Sequence, residues 1–585
     1  MLINIIRKLM YRFNTQAREG YLIVYLLITI SGMVFCDFSA FFDSELKTKW
    51  FCCYISVSIS AFLLLFINPA RTLKMNSLGY LLVCFLIYCL IRAAVGHFFI
   101  SYITFGLLFL LMYYLFAKFS LNSLFVNISV AITIVVFVMA LYGIIQYMDI
   151  FSSGNQFRVR GNFDHPVGYA SMLTFGIPFV LYFIFLDNRV LKFVAWIIYI
   201  MAVIAVVLSE SRTGVLSILI LTMFFVIRKY KGVFEKKVGK LIMIILVIIA
   251  IFGLYMINEK SSNGRIYVWK CSLEMIKDMP FFGHGYNSFE AKYMIYQSDY
   301  LKRNSETEFL LLSDNIKHPF NEFILLIVEF GLVAFVLFII FALKLIFLYH
   351  KPLSNEIFVQ ILVLLSIAVY SSFSYPFKYP FTWFVSALSL SSLSVFSIHD
   401  NCHNRYSIIS KFLIVFSSLF LFIFAIKKIY YENKWYKTLN MIESGTSYDL
   451  VLKYRLLYSN FKQNAYFLYN YAAILNRFQE YRESLVVLEQ CTRYLNDYDI
   501  QMLIADNYLN LKELDKAEFH FYQASYMCPN RFIPLYKLHE IYKITNRIDD
   551  ATRMAYILIG KEVKITSPTI SIIQTNMKKY LELNR

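Results

Sequence analysis

Lys317-His318-Pro319-Phe320-Asn321-Glu322-Phe323-Ile324-Leu325-Leu326-Ile327-Val328-Glu329-Phe330-Gly331 is the stretch on which the fold turns. Its first five residues close the one long polar interval, Asn258 to Asn321, in the first three-quarters of the chain. The rest opens an apolar run of the length that crosses hydrocarbon as a helix, about 20 residues. Similar runs flank it on both sides. About thirteen candidate helices fall near 20–36, 51–68, 78–95, 98–117, 123–147, 167–186, 191–208, 213–228, 240–257, 321–348, 356–374, 380–398 and 408–429. The expectation is an all-α protein: a polytopic membrane bundle of about 12–13 transmembrane helices over residues 1–430, with a large external loop near 258–320.

Composition agrees. Of 585 residues, 59% are hydrophobic and 16% charged, against about 25% charged in soluble proteins. The mean hydropathy is +0.58. The formal charge of +18 raises nucleic acid as a partner, but the basic residues sit mainly between alternate apolar runs, which argues for membrane topology instead. By the positive-inside rule, Arg71, Lys74, Lys118, Arg189, Lys192 and the cluster Arg228 to Lys240 are expected inside, with the N-terminus cytoplasmic. Ser152–Pro166, Ser209–Arg212 and the 258–320 loop are then outside, together with the C-terminus. The early segment carrying Arg7, Lys8, Arg12 and Arg18 reads as an uncleaved first span, because no small-residue cleavage site follows it. Nine cysteines show neither metal-ligand spacing nor a disulfide framework.

From about Tyr430 the pattern changes to helical spacing without spanning runs. Residues 431–585 are expected to form a soluble α-helical repeat domain on the external side. Ala505, Tyr508, Ala517, Phe521, Ala524 and Pro529 recur one period back as Ala472, Leu475, Ser484, Leu488 and Cys491. One period forward they recur as His539, Tyr542, Ala551, Ala555 and Leu558. The spacing of about 34 residues is the tetratricopeptide period, and such stacks offer a concave face to a protein partner.

Three arginines stand at expected external helix ends: Arg160 before the sixth span, Arg212 at the start of the eighth, and Arg265 after the ninth. For any one of them a salt bridge or lipid contact is the plainer role. Together on one side they point to a shared anionic ligand, and a guanidinium fork suits pyrophosphate. His318, where the polar interval re-enters the membrane, is the candidate for acid–base work, since neutral imidazole accepts a proton near neutral pH. His284 between Gly283 and Gly285 reads as a turn residue, and His165 before Pro166 as a weaker candidate. The loop carboxylates form no metal motif, so no metal or cofactor is expected.

Four blocks carry a resemblance: Arg160-Gly161-Asn162-Phe163-Asp164-His165-Pro166; Ser211-Arg212-Thr213-Gly214; Gly264-Arg265 through Trp269 to Pro280-Phe281-Phe282-Gly283-His284-Gly285; and His318-Pro319-Phe320-Asn321-Glu322 with Glu329-Phe330-Gly331. In order and spacing they resemble the O-antigen ligase superfamily of ligases, polymerases and bacterial O-linked oligosaccharyltransferases, over roughly residues 20–400. The resemblance implies a metal-independent glycosyltransferase in the bacterial inner membrane. Such an enzyme moves a glycan from a polyprenyl pyrophosphate on the periplasmic face to an acceptor hydroxyl on lipid A core, another glycan or a protein. It implies pyrophosphate contacts for Arg212 and Arg265, with Arg160 as helper, and proton abstraction by His318 supported by Asn321. Many members read His-x-His-Asn where this chain has His318-x-Phe320-Asn321. Ligase or oligosaccharyltransferase is the first reading and polymerase the second. A non-catalytic scaffold working through the repeats, or a transporter, would be a different class, and no ion relay in mid-span favours transport.

Overall fold

The computed structural model describes residues 15–63, 77–94, 100–118, 121–148, 159–230, 259–304, 308–349, 353–396, 407–444 and 448–583. Among them every regular element is a helix. The membrane part contains α1 (Thr15–Phe35), α2 (Ser44–Leu63), α3 (Ser77–Ala94), α4 (Ile100–Lys118), α5 (Leu121–Tyr147), α6 (Pro166–Phe185), α7 (Arg189–Leu208) and α8 (Arg212–Lys229). After the polar strip of α9 (Glu259–Asp278) and α10 (Ser288–Arg303) come α11 (Glu322–Tyr349), α12 (Asn355–Ser371), α13 (Pro380–Phe396) and α14 (Ser407–Ser444).

Five segments are long and apolar enough to cross a membrane by length and composition: Ser123–Tyr147, Pro166–Phe185, Arg189–Leu208, Glu322–Phe347 and Ile414–Met441. Shorter apolar helices accompany them. The expected span at 240–257 and the basic residues from Lys231 to Lys240 lie outside the described residues.

The bundle is built around α6. Its apolar window is 94% buried, against 28% for α7 and α11, so α6 is central and the other two face outward. It packs on α5, α7, α8 and α12. Ala170, Ser171 and Thr174 allow that close approach. Ser171 and Thr174 donate their hydroxyls to Gly168 O and Ala170 O of the same helix, leaving no polar atom seeking a partner across an apolar contact.

The interval expected as an external loop is ordered helix. Its Pro280–Gly285 turn is fastened to α11 by backbone hydrogen bonds, beside side-chain packing of Tyr267 and Cys271 with Val328. His284 N donates to Val328 O at 2.8 Å and Gly285 N to Glu329 O at 2.9 Å; Leu332 N donates to Pro280 O at 2.8 Å and Val333 N to Phe281 O at 3.2 Å. These bonds exist because α11 breaks at Gly331, whose φ of 77° and ψ of −178° are not helical. The break frees carbonyls and amides that an unbroken helix would use itself. The approach leaves no room for a side chain: a Cβ on Gly331 would lie 2.1 Å from Phe281 O, and one on Gly283 would lie 2.5 Å from the Glu329 carbonyl carbon.

The last apolar helix outruns its expected end. α14 continues to Ser444, so the junction expected at 430/431 falls inside one helix. Buried Glu432 on that extension accepts from Lys47 of α2 at 2.8 Å and pairs with Lys428 at 3.4 Å. Trp435, fully buried, packs on Phe42, Phe461 and Phe467. Beyond it follow α15 (Asp449–Phe461), α16 (Ala465–Arg477), α17 (Tyr481–Cys491), α18 (Tyr498–Asn510), α19 (Leu514–Met527), α20 (Ile533–Ile544), α21 (Ile548–Gly560) and α22 (Pro568–Leu583). Each packs on the next. Helix starts at Ala465, Tyr498 and Ile533 recur at about the 34-residue period. The small and large positions assigned from the sequence form the interior. Ala472, Leu488, Ala505, Ala517, Phe521, Ala524, Ala551 and Leu558 are all fully buried, whereas Tyr508 and Pro529 are half-buried.

Gly331→Ala is expected to destabilise the detergent-purified protein by at least about 1–3 kcal/mol, from the left-handed φ alone, with the Phe281 clash added. Gly264→Ala, whose Cβ meets nothing within 4 Å, should leave the melting temperature unchanged or slightly higher. Equal melting temperatures for the two variants would contradict the backbone clasp.

Candidate functional site

The starts of α6, α8 and α11 are tied to α12 and the segment after it, and Arg212 and the His318 segment reach α9 there. Each is held by a short local device. His165 caps α6, its Nδ1 accepting from Val167 N at 3.2 Å. Ser211 caps α8 through Gly214 N at 3.3 Å, and its hydroxyl lies 3.1 Å from the Tyr370 hydroxyl. Tyr370 in turn donates to Val167 O at 2.8 Å, tying the starts of α6 and α8 to α12. Asn321 caps α11, its Oδ1 accepting from Phe323 N at 2.9 Å and Ile324 N at 3.1 Å, while its Nδ2 donates to Ser372 O at 3.0 Å. The Asn321 side chain is therefore a clamp between α11 and the segment after α12.

His318 lies just before that cap. Trp269 of α9 donates to Pro319 O at 2.8 Å, and Phe320 holds a left-handed φ of 53°. Such a conformation costs a non-glycine residue about 1–3 kcal/mol and is held only by its surroundings. The His318 ring stacks on Tyr375 with centroids 4.8 Å apart and planes 21° from parallel. Phe320 touches the same tyrosine at 5.8 Å. The Arg265 guanidinium sits 5.8 Å over the Phe320 ring. Arg212 is the neighbouring cation, its Nη1 3.4 Å from Ser262 Oγ on α9. Arg265 and His318 thus meet around Phe320 and Tyr375, with Arg212 close enough to Arg265 to act on its charge.

Arg160 stands apart in its bonding. Its Nη1 donates to Glu45 Oε1 at 2.7 Å and Oε2 at 2.6 Å, and to Phe163 O at 2.9 Å. It braces its own turn against α2. His284 sits in the turn foreseen for it, with Nε2 2.8 Å from Met275 O.

Electrostatics separate two kinds of cation here. Lys378 pairs with Asp164 at 2.6 Å, and Tyr379 donates to the other carboxylate oxygen at 2.9 Å. Burial pushes the Asp164 carboxyl up, but Lys378 and Tyr379 outweigh it and hold the carboxyl below its usual range. Arg265 has no carboxylate partner among the described residues. Burial, then the like charge of Arg212, lower its pKa. A buried guanidinium without a carboxylate partner, held near a second cation, favours the approach of an anion. Burial first, then Lys378 and Lys317, push the His318 pKa down to about 4, so the ring is neutral at pH 7 and its unprotonated nitrogen can accept.

Under the site lies a cavity of about 650 Å³ between α3, α11, α12 and α13. Its wall is apolar, including Leu81, Phe85, Phe341 and Leu365, and Glu322 and Ser371 mark its polar end. Glu322 Oε1 accepts from Phe377 N at 3.3 Å, so that end abuts the segment carrying Tyr375 and Lys378.

Residues 197–339 match a family described as O-Antigen ligase. This part of the chain is an O-antigen ligase domain. The family is one of membrane proteins that ligate or polymerise glycans, and the chain is a multi-pass membrane protein. The O-antigen ligase segment takes in Arg212, Arg265, His318 and Asn321 together with the glycine clasp, whereas Arg160 and Lys378 lie outside it. No curated protein and no solved structure matched the chain.

Two neighbours of the site escaped the sequence reading, Tyr375 and Lys378. The signal was present in Tyr375-Pro376-Phe377-Lys378-Tyr379-Pro380, a lysine set among aromatics and prolines between two apolar runs.

The depressed His318 pKa fixes a direction. A ring with the ordinary pKa of about 6.5 loses most of its neutral form, roughly eightfold, between pH 7 and 5.5. His318, titrating near 4, should lose almost none. Carbethoxylation of His318 followed by mass spectrometry should show a nearly constant rate over that interval, and an eightfold fall would contradict the stated environment.

Proposed function

We propose that the protein transfers a glycan from a polyprenyl pyrophosphate carrier to an acceptor hydroxyl, as an O-antigen ligase or O-linked oligosaccharyltransferase. The observation that carries this reading is the convergence of Arg212 and Arg265, without a partner carboxylate on Arg265, on the neutral ring of His318 beside an apolar cavity. A pyrophosphate supplies the negative charge that Arg265 lacks among the described residues. The first units of a polyprenyl tail have the chemistry of the cavity below.

In the step envisaged, the acceptor oxygen bonds to the anomeric carbon while the bond from that carbon to the pyrophosphate oxygen breaks. The electron pair leaves with the pyrophosphate. Arg212 and Arg265 stabilise the charge that grows there, which is where preorganised donors act most strongly. His318 takes the acceptor proton, its plane fixed by the Tyr375 stack. Its low pKa in the ligand-free site comes from burial and the two lysines, and a bound pyrophosphate opposes those lysines and makes the ring a stronger base. In this reading Arg160 braces the site through Glu45 and contacts no substrate directly, while Asn321 positions His318 by capping α11. The transfer takes place at the periplasmic face of a bacterial inner membrane, with the N-terminus cytoplasmic and the helical repeats, of tetratricopeptide type, on the periplasmic side. The acceptor is lipid A core, another glycan or a protein.

Arg265→Lys keeps the charge and loses the fork, so it should lower transfer by about 10²–10³-fold at unchanged protein level in membranes. The carrier-bound product reads out the subtype in the same cells. Full-length glycan left on the carrier fits a ligase, and single unextended units fit a polymerase. Wild-type transfer by both Arg265→Lys and Arg212→Lys would remove the proposal.

A further inference from the structure

A second cavity, of about 510 Å³, opens where the Gly283–Lys292 segment, the outer end of α3 and the C-terminal helices meet. Its size falls within the range of small-ligand clefts, roughly 300–1,000 Å³. Three cations line it: Arg92 from α3, Lys292 from α10 and Arg493 from the turn after α17. Arg92 donates through one Nη to Gly283 O at 3.0 Å, and its buried Nε has no hydrogen-bond partner. Lys292 Nζ approaches only a neutral acceptor, His284 Nδ1, at 3.2 Å. Arg493 reaches Glu489 at 3.8 Å with both side chains largely exposed, a pair of little strength. The single carboxylate in the lining is Glu290. Burial raises its carboxyl to about 7, against the lowering pull of Lys317 and Lys378, so it adds at most a partial negative charge at neutral pH.

The cavity also adjoins the site already described. Tyr466 of α16 forms part of its wall. Lys317, next to His318 in the chain, donates to the Tyr466 hydroxyl at 3.2 Å and lies 4.7 Å over its ring. Arg265 reaches the histidine segment through Phe320, and this cavity reaches it through Lys317. Tyr466 brings a phenol ring to this wall, and Asn464 an amide whose Oδ1 accepts from Phe467 N at 3.0 Å.

We propose that this cavity is the acceptor subsite, that it takes a saccharide bearing a phosphate or carboxylate, and that the C-terminal helical unit completes it. The assignment rests on the transferase reading above. It gives the C-terminal unit a part in substrate selection, because Asn464, Tyr466 and Arg493 are its residues.

The test uses the full-length protein in nanodiscs with glucose 1-phosphate as probe, glucose as its neutral control, and inorganic pyrophosphate as probe of the arginine pair. Saturable binding of glucose 1-phosphate, well above glucose, is expected. Lys292→Glu should weaken it about tenfold and leave pyrophosphate binding unchanged; Arg265→Lys should do the reverse. Arg493→Glu, at another exposed position, repeats the test should Lys292→Glu perturb folding. Absence of saturable binding overturns the proposal, and so does binding indifferent to both reversals. Loss of glucose 1-phosphate binding in phosphatidylglycerol but not phosphatidylcholine nanodiscs would assign the cavity to a lipid headgroup and overturn it as well. Wild-type glycan transfer by Arg265→Lys and Arg212→Lys would instead sink the transferase reading while leaving the probe result intact.

Discussion

Four backbone hydrogen bonds between the Pro280–Gly285 turn and the break in α11 hold the rest of this site in place. A membrane helix normally satisfies all its own amides and carbonyls, since hydrocarbon offers no substitute. Here α11 gives up that closure at Gly331, and the α9–α10 strip supplies the missing partners. Two glycines make it possible: one adopts a dihedral closed to other residues, and both let main chain lie against main chain. Because α9 is thereby fixed against α11, Arg265 and Trp269 on α9 acquire fixed positions relative to His318. A hydrogen bond from Trp269 then sets the histidine segment itself.

Within that frame, charge distribution distinguishes bracing from binding. Arg160 with Glu45, Lys378 with Asp164, and Lys47 with Glu432 are matched pairs that fasten one helix end to another. Removing one member of such a pair leaves an uncompensated charge, so their work is structural. Arg265 beside Arg212 is different. Arg265 is desolvated near a like charge and has no carboxylate partner among the described residues, so an anion would stabilise it. The neutral His318 follows from burial first and then from Lys378 and Lys317, which make an unprotonated imidazole the lower-energy form.

The C-terminal helices are part of this machinery in a physical sense. Tyr498, Ala524, Met527 and Cys528 share one apolar cluster with Tyr267, Cys271, Phe289 and Tyr293 of the α9–α10 strip. Polar contacts surround it. Gln297 donates to Met527 O at 2.6 Å, Asn530 to Ser313 O at 2.8 Å, and Asp314 receives both Arg531 and Lys564 at 3.3 Å. Burial raises the Asp314 carboxyl, but the Asn315 amide with Lys564 and Arg531 holds it below its ordinary value. The strip that presents Arg265 and His318 is thus packed on α11 on one side and on the C-terminal helices on the other.

The sequence by itself determined the all-helical class, the run of apolar helices and the helical period of the last third, because each depends on local spacing of apolar and small residues. It also located Arg212, Arg265 and His318, since cations and imidazole at the ends of apolar runs are costly enough to stand out. Only the tertiary structure decided which arginines lie near one another. Arg160 and Arg265 look alike in sequence, and what separates them is a carboxylate 115 positions from Arg160. Tyr375 and Lys378 were likewise legible as residues but not as neighbours of His318, and the 258–320 interval read as loop because its helices are too polar to show a membrane pattern. The pairing of Gly283 with Gly331, and the wall that Tyr466 adds beside Lys317, are long-range contacts between surfaces, which no local pattern encodes.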